Sequence, residues 1–230
     1  MIITLLRSFF TLLFLFVLSV LQAEATPSAD ELEKWFMSDE LEPPTQSSDS
    51  HLTFIAPAKN KPALHSINEI TISPQSLKTG WVDLLQCYQH LDPVPEMEVV
   101  YNYKNMRKLK IIKSKNIEQA FIKGQSVQLE NVQRNSQLCI STEVKNFYKN
   151  KNGYFKLKNG PYHRKFLDGY FPFHLTLKVN YPSTLLKFIS SKPKSQFGFV
   201  LNQSDNTILI DSYFTGKLYT EITFKPHQPD

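Results

Sequence analysis

Residues 171–181 alternate strictly between apolar and polar side chains, and this stretch constrains the fold more than any other. Six apolar side chains, beginning with Phe171 and ending with Tyr181, occupy every second position. A period of two is typical of a β-strand that buries one face and leaves the other in water. Pro172 lacks a backbone N–H group, so it places the start of this strand at a sheet edge or a strand end.

Short apolar runs separated by turn residues fill most of the chain after residue 50. About ten such runs indicate a mainly β fold, either an antiparallel β-sandwich or a partly closed barrel. We expect one sandwich domain over 51–230, in which the polar segment 145–153 is a hairpin loop or a boundary between two smaller units. The other predicted strands are 52–55, 67–72, 96–103, 109–112, 117–122, 127–132, 138–144, 185–189, 197–201, 207–214 and 218–224.

The segment 81–91 departs from the alternating pattern. Trp81, Leu84, Leu85 and Tyr88 recur at the spacing of one helical face, which favours a helix of about three turns. A strand is the alternative, and it would place Asp83 on the same face as Trp81 and Leu85. The period therefore predicts a helix near 81–91, with a strand as the second choice.

The first 25 residues have the three parts of a secretory signal peptide. Arg7 is the only charge before Glu24, an apolar run covers 9–21, and small residues flank Glu24 on both sides. This order predicts cleavage after Ala25. The apolar run is shorter than the roughly 20 residues that span a bilayer, so we expect no membrane span in the mature chain and a periplasmic or secreted location.

Residues 26–50 carry a separate acidic pattern. Ser28 and Glu31 form a capping-box motif, and Trp35 and Phe36 fall on one face of the helix that would follow. Residues 30–49 contain seven acids and one lysine, a net charge of −6. We therefore predict a short N-terminal acidic helix and a proline-rich linker before the β domain.

The chain contains two cysteines, Cys87 and Cys139. In an exported protein an even pair usually forms a disulfide, and two buried thiols are the alternative. Two cysteines are too few ligands for a zinc site. We therefore expect a disulfide, with no metal and no cofactor.

Catalytic motifs are missing from the sequence. The chain contains no G-x-S-x-G motif and no glycine-rich phosphate loop. None of the six histidines is paired with another at i+2 or i+4, and the polar face of its strand explains His174. We assign no catalytic residue and expect a protein that is not an enzyme.

Basic residues concentrate in the window 104–165, which contains fifteen lysines and arginines and three glutamates. A basic face attracts anionic partners through summed Coulomb attraction. The alternative is a solvated surface, because the chain has 22 lysines and 4 arginines and arginine is the usual grip for phosphate. Lys108, Lys110 and Lys113 are candidate binding residues, and no motif indicates nucleic acid.

The segment 159–173 is the second candidate binding site. Tyr162, His163, Arg164 and Lys165 combine cations with a ring, a mixture that suits an anionic or sugar-bearing ligand. In the alternative, Arg164 pairs locally with Asp168 and the aromatic rings belong to the core.

The functional expectation is a non-catalytic binding or assembly module of the cell envelope. Its partner would be an envelope protein or an anionic component such as lipid, lipopolysaccharide or glycan. A hydrolase acting on the envelope and a structural subunit of an envelope complex are the two alternatives. The preference for a binding module depends on analogy with other β-sandwiches.

Overall fold

The computed structural model describes residues 51–57, 62–101, 105–166 and 169–227, all of which lie in one compact unit, Ser47–Asp230. The predicted signal peptide and the N-terminal helix lie outside the described residues. Most of the described residues are in strands. The elements are β1 Thr53–Phe54, β2 Leu64–Thr71, α1 Ser76–Thr79, β3 Trp81–Gln89, β4 Glu96–Val100, β5 Met106–Lys123, β6 Ser126–Lys145, β7 Phe147–Lys149, β8 Phe155–Tyr162, β9 Lys165–Phe166, β10 Gly169–Tyr170, β11 Phe173–Asn180, β12 Leu186–Lys192, β13 Phe199–Gln203, β14 Thr207–Thr215 and β15 Leu218–Pro226.

Two open sheets pack together, which confirms the predicted sandwich. The large sheet has nine strands in the order β1-β14-β11-β2-β3-β6-β4, with β13 beside β14 and β5 beside β6. The small sheet is antiparallel, in the order β12-β15-β8-β7, and β9 and β10 form a separate pair. The large sheet is mixed, because β2 and β11 run parallel. Among the described residues, no helix is long and apolar enough to cross a membrane.

The larger of two hydrophobic clusters in the described residues lies between the two sheets and is built from alternate residues of their strands, while the smaller one lies along β4, β5 and β6. In β11 the apolar residues are buried and the polar residues between them are partly exposed, as the sequence pattern predicts. Leu175 and Leu177 of the large sheet share this core with Leu157 and Phe224 of the small sheet. Fully burying one such side chain stabilises the fold by roughly 1.5–3 kcal/mol.

The helix predicted near 81–91 is wrong, because this segment is strand β3. Val82 and Leu84 are buried, whereas Asp83 and Leu85 on the other face are exposed, so the strand buries no acid. Pairing with β2 and β6 on its two sides supplies backbone hydrogen bonds that a helical period does not reveal. Tertiary pairing overrides the local pattern here.

A helix of four residues, α1, directly precedes β3. Gly80 ends it in the left-handed conformation with φ 77°. A Cβ atom at this position would lie 2.7 Å from the carbonyl oxygen of Phe147. Glycine is therefore required both for the positive φ and for the close approach of β7.

Four of the predicted short strands are wrong in extent, because they merge into the long hairpin of β5 and β6. These strands have 18 and 20 residues. The pairing register shifts three times along β5, between residues 107 and 110, 111 and 113, and 115 and 117. Each shift moves the apolar residues from odd to even positions in the sequence, or back. One bulged strand therefore looks like several short apolar runs in the sequence.

The disulfide between Cys87 and Cys139 is present, as predicted. The two residues lie directly opposite each other on β3 and β6, and their Cα atoms are 4.0 Å apart. Leu138 and Ile140 on either side of Cys139 are buried, so the bridge lies on the outer face of the large sheet. It ties the long hairpin to the centre of that sheet.

Candidate functional site

The predicted segment around Arg164 is held by contacts within the protein. Arg164 makes a two-pronged ion pair with Asp92, with nitrogen–oxygen distances of 2.6, 2.7 and 3.1 Å. Its guanidinium also lies 5.4 Å from the ring centroid of Phe171. Tyr162 is buried in the core. The partner of Arg164 in this contact is Asp92 of the loop after β3, whereas Asp168 lies outside the described residues.

His163 and Lys165 both contact one aromatic ring. The His163 ring meets Tyr170 edge-on, with centroids 6.0 Å apart. The Nζ atom of Lys165 lies 5.9 Å from the centroid of the same ring. These contacts join the end of β8 to the β9–β10 pair, so they explain the mixture of cations and rings structurally. A ligand-binding role for 162–165 stays a prediction.

The lysines predicted on 108–113 lie on β5, an edge strand of the large sheet. Lys108 and Arg107 pair with Glu143 on β6, and together they hold the pKa of its carboxyl below the usual value. Lys113 donates to the side-chain oxygen of Gln137 at 3.1 Å. Lysines and bulges on an edge strand discourage pairing with other chains. Protection of the edge therefore accounts for these residues without a ligand.

Lys110 lines a shallow groove of about 470 Å³ on the outer face of the large sheet. The groove is lined by charges of both signs, since Lys108 and Lys110 lie beside Glu69, Asp83 and Glu143. A ligand with one strong charge would meet repulsion as well as attraction there. The groove therefore offers no clear preference for an anion.

The outer face of the small sheet carries a second basic surface, which we call the lysine face. Its members point away from the core because they alternate with the buried residues of β8, β12 and β15. Thr223 of β15 lies opposite Lys156, and Glu221 lies opposite Lys158 and Lys192. The lysine face consists of Lys156, Lys158, Lys187, Lys192, Lys225, Glu221 and Tyr148.

The lysine face has an uncompensated positive charge. Glu221 is the only acid in the four strands of the small sheet, so five lysines and one glutamate give a net charge of +4. Glu221 lies 2.5 Å from Lys156 and 3.7 Å from Lys158, and the bond with Lys156 lowers the pKa of its carboxyl. Interaction with Tyr148, aided by Glu221, raises the pKa of Lys158.

Sequence analysis missed the lysine face as a unit. Lys156 and Lys158 fall inside the basic window 104–165, but Lys187, Lys192 and Lys225 fall outside it. Their alternation with buried residues was the available signal, because each of these lysines except Lys192, which follows the bulge in β12, comes directly after a phenylalanine or leucine. Only the strand order brings positions so far apart in the chain to one surface.

No known protein family matches this chain, and no curated protein resembles it in sequence. The function therefore has to be inferred from the surfaces of the chain. Among the described residues, no group of three or more histidine, cysteine, aspartate or glutamate side chains is arranged to hold a metal ion.

Three aromatic rings stack on the outer face of the large sheet, across β14, β11 and β2. The His174 ring lies between the other two, 3.9 Å from Tyr213 and 3.6 Å from His65, with nearly parallel planes. Asp211 Oδ1 accepts hydrogen bonds from His174 Nε2 at 2.7 Å and from Thr176 Oγ1 at 3.0 Å. These residues are adjacent because β2, β11 and β14 pair in register.

The hydrogen bonds of this stack do not activate the Thr176 hydroxyl as a nucleophile. The one hydroxyl proton of Thr176 goes to Asp211, so His65 Nε2 must donate to Thr176 Oγ1, at 2.8 Å. A nucleophile would need the opposite arrangement, with the histidine accepting the hydroxyl proton. The geometry therefore supports a packed polar network and assigns no catalytic residue.

Acid is expected to weaken the fold through His65. Burial and the neighbouring His174 and His90, partly offset by Asp211, lower the pKa of His65 to about 4. The unfolded chain takes up this proton near pH 6.5, so the stabilising contribution is complete above that pH and is lost as the pH falls toward 4. Because the His65 side chain is only partly buried, solvent screening reduces the effect, and we expect a loss of about 1 kcal/mol.

Urea unfolding of the wild type and His65→Gln between pH 7.5 and pH 5 measures this effect. The variant should lose less stability than the wild type over this interval. The carboxyl groups of Glu69, Glu143 and Glu221, whose pKa values are lowered, contribute mainly below this range and equally in both proteins. Parallel stability curves for the two proteins would contradict the assignment.

Proposed function

We propose that this protein is an exported, non-catalytic binding module that engages an anionic partner through the lysine face. The observation that carries the proposal is the convergence of five lysines from three strands on one open face with a single glutamate. Lys158, Lys187, Lys192 and Lys225 are exposed on that face. Their charges sum at a partner's surface even though each contributes little alone.

Rigid placement supports binding at this face. The lysines alternate with core residues such as Leu157, Ile222 and Phe224, which are fully buried, so the backbone that carries them is fixed. Glu221 already has two lysine neighbours, which reduces its repulsion of an anion. A partner therefore meets a preorganised positive surface and does not have to assemble it.

The two sheets differ in charge, and this difference favours the small sheet. The outer face of the large sheet carries Glu69, Asp83, Glu143 and Asp211 among its basic groups. An anion approaching that face meets acids on four of five consecutive strands, β14, β2, β3 and β6. The lysine face presents one acid, so the anionic partner has an electrostatic reason to choose it.

Export is part of the proposal. A disulfide is consistent with an extracytoplasmic protein, and the first 25 residues have the pattern of a signal peptide. We propose that the chain matures by losing these residues and works in the periplasm or outside the cell. Its partner would then be an anionic component of the envelope.

Two triple variants with equal charge change test the proposal. K158Q/K187Q/K225Q removes three charges from the lysine face, and K110Q/K113Q/K115Q removes three exposed charges from β5. We expect the first variant to bind long-chain polyphosphate at least ~10-fold more weakly than wild type in 50 mM salt, because three local attractions are lost. The second should bind within about threefold of wild type.

Isothermal titration or a salt-gradient elution measures both affinities. Near-UV spectra and thermal unfolding of each variant show whether it is folded, and both sets of positions are exposed, so we expect no change. Equal loss in the two variants would indicate a response to net charge alone. Loss in the β5 variant only would favour Lys110 and Lys113 as the binding residues.

A further inference from the structure

We infer that the partner of the lysine face is the surface of an anionic lipid bilayer, an inference that rests on the proposed function. The face is formed by four adjacent strands of one sheet, and strands lie about 4.8 Å apart. It is therefore a broad, open surface. A partner that covers all five lysines must itself be broad, which a planar bilayer is.

Lysine is the type of cation that suits mobile lipid headgroups. The face contains five lysines and no arginine. Arginine grips one phosphate through a fixed two-pronged geometry, whereas lysine acts as a point charge on a flexible stem. Lipid headgroups move and exchange beneath a bound protein, so binding to them depends on the summed charge of the protein more than on a fixed geometry. The absence of arginine from the face therefore favours a lipid surface over one specifically held phosphate.

Apolar side chains among the lysines distinguish a bilayer from a soluble polyanion. Tyr148 lies within the lysine face and is 40% exposed, and its ring lies 5.5 Å from the Nζ atom of Lys158. Tyr219 and Ile189, at the register shifts of β15 and β12, are 60% and 46% exposed. Tyrosine is enriched where hydrocarbon meets water at a membrane, and a soluble polyanion would leave these side chains in water.

Vesicle co-sedimentation of the full chain tests the inference. The probes are vesicles of 30 mol% phosphatidylglycerol in phosphatidylcholine and vesicles of phosphatidylcholine alone, each at 50 and 300 mM salt. We expect strong binding to the anionic vesicles at low salt and weak binding to the neutral ones. K158Q/K187Q/K225Q should reduce the affinity about 100-fold, and K110Q/K113Q/K115Q should leave it within about threefold of wild type.

A second variant separates insertion of apolar side chains from charge alone. Y219S/I189S keeps every lysine, and both positions are exposed, so we expect the fold to persist. This variant should bind anionic vesicles about tenfold more weakly, because two apolar side chains no longer leave water, and it should bind polyphosphate as the wild type does. Phosphatidylcholine vesicles control for the apolar run 9–21, because that run would bind both kinds of vesicle.

Each outcome decides between the two proposals. Equal loss of binding to anionic vesicles in the two lysine variants, or no loss in either, would overturn the lipid inference. Binding to polyphosphate without binding to anionic vesicles would overturn the lipid inference and leave the proposed function intact. Binding to neither probe would overturn both.

Discussion

Replacing Cys87 and Cys139 with alanine is expected to lower the free energy of unfolding by about 4 kcal/mol. The two cysteines are 52 residues apart in the chain, so the bridge closes a long loop in the unfolded state, and the chain-entropy treatment assigns about this value to a loop of that length. Equilibrium urea unfolding at pH 7.5 measures the loss. Reduction of the wild type with excess thiol should produce a similar decrease.

The control for this variant is Ser141→Ala. Ser141 lies on the same strand and the same face as Cys139 and pairs with Leu85 of β3, but it carries no cross-link. We expect its substitution to change stability by less than about 0.5 kcal/mol. A loss below 1 kcal/mol in the cysteine variant would mean that the bridge does not restrict the unfolded chain, and that pairing of β3 with β6 suffices.

Replacing Phe224 with alanine is expected to cost about 4 kcal/mol of stability. This residue of β15 is fully buried, and its ring contacts Tyr181, Phe147 and Phe188 at centroid distances of 5.0, 6.2 and 6.5 Å. Tyr181 immediately follows β11 of the large sheet, so the variant opens a cavity between the sheets. Removing a buried phenylalanine typically costs 3–5 kcal/mol, roughly, through lost transfer energy and the cavity.

Tyr219 provides the matched position in the same strand. Because its side chain is 60% exposed, Tyr219→Ala should change stability by less than about 0.5 kcal/mol. Thermal and urea unfolding of the two variants give the comparison. Similar small losses for both would indicate that the contact between the sheets contributes little, and the packing described for this core would then be wrong.

Alternation made β11 predictable, because a strand with one buried face repeats every two residues. Cys139 follows the same rule, because it lies on the face of β6 opposite to buried Leu138 and Ile140, where it reaches Cys87. Where bulges interrupt a strand, the rule fails. β5 shifts register three times, so its apolar positions change parity and one strand resembles two.

The prediction of a helix for segment 81–91 is wrong for a different reason. Its apolar residues satisfy a helical period by coincidence, since Trp81, Leu84, Leu85 and Tyr88 also occupy both faces of a strand. Hydrogen-bonding partners on both sides, β2 and β6, stabilise the strand. Those partners are distant in the chain, and short apolar runs do not reveal them.

The sequence predicts the charge of the protein surface but not which charged residues lie together on it. Composition predicts a basic body, and the window 104–165 contains much of that charge. Two of the binding residues predicted within this window already have acidic partners, because Lys108 pairs with Glu143 and Arg164 pairs with Asp92. The lysine face draws on Lys156 and Lys225, which meet because β8 and β15 are neighbours in the small sheet. No pattern within a single segment shows that β8 and β15 are neighbours.

Local chemistry settles that the fold is mainly β, which residues a regular strand such as β11 buries and that the body is basic, because side-chain period and charge are properties of neighbouring residues. Strand order, the long hairpin, the three-ring stack and the lysine face depend on which strands lie side by side. That choice comes from packing two sheets around a common core, and it joins residues as far apart as 65 and 213 or 156 and 225. Long-range pairing of this kind leaves no trace in any single segment.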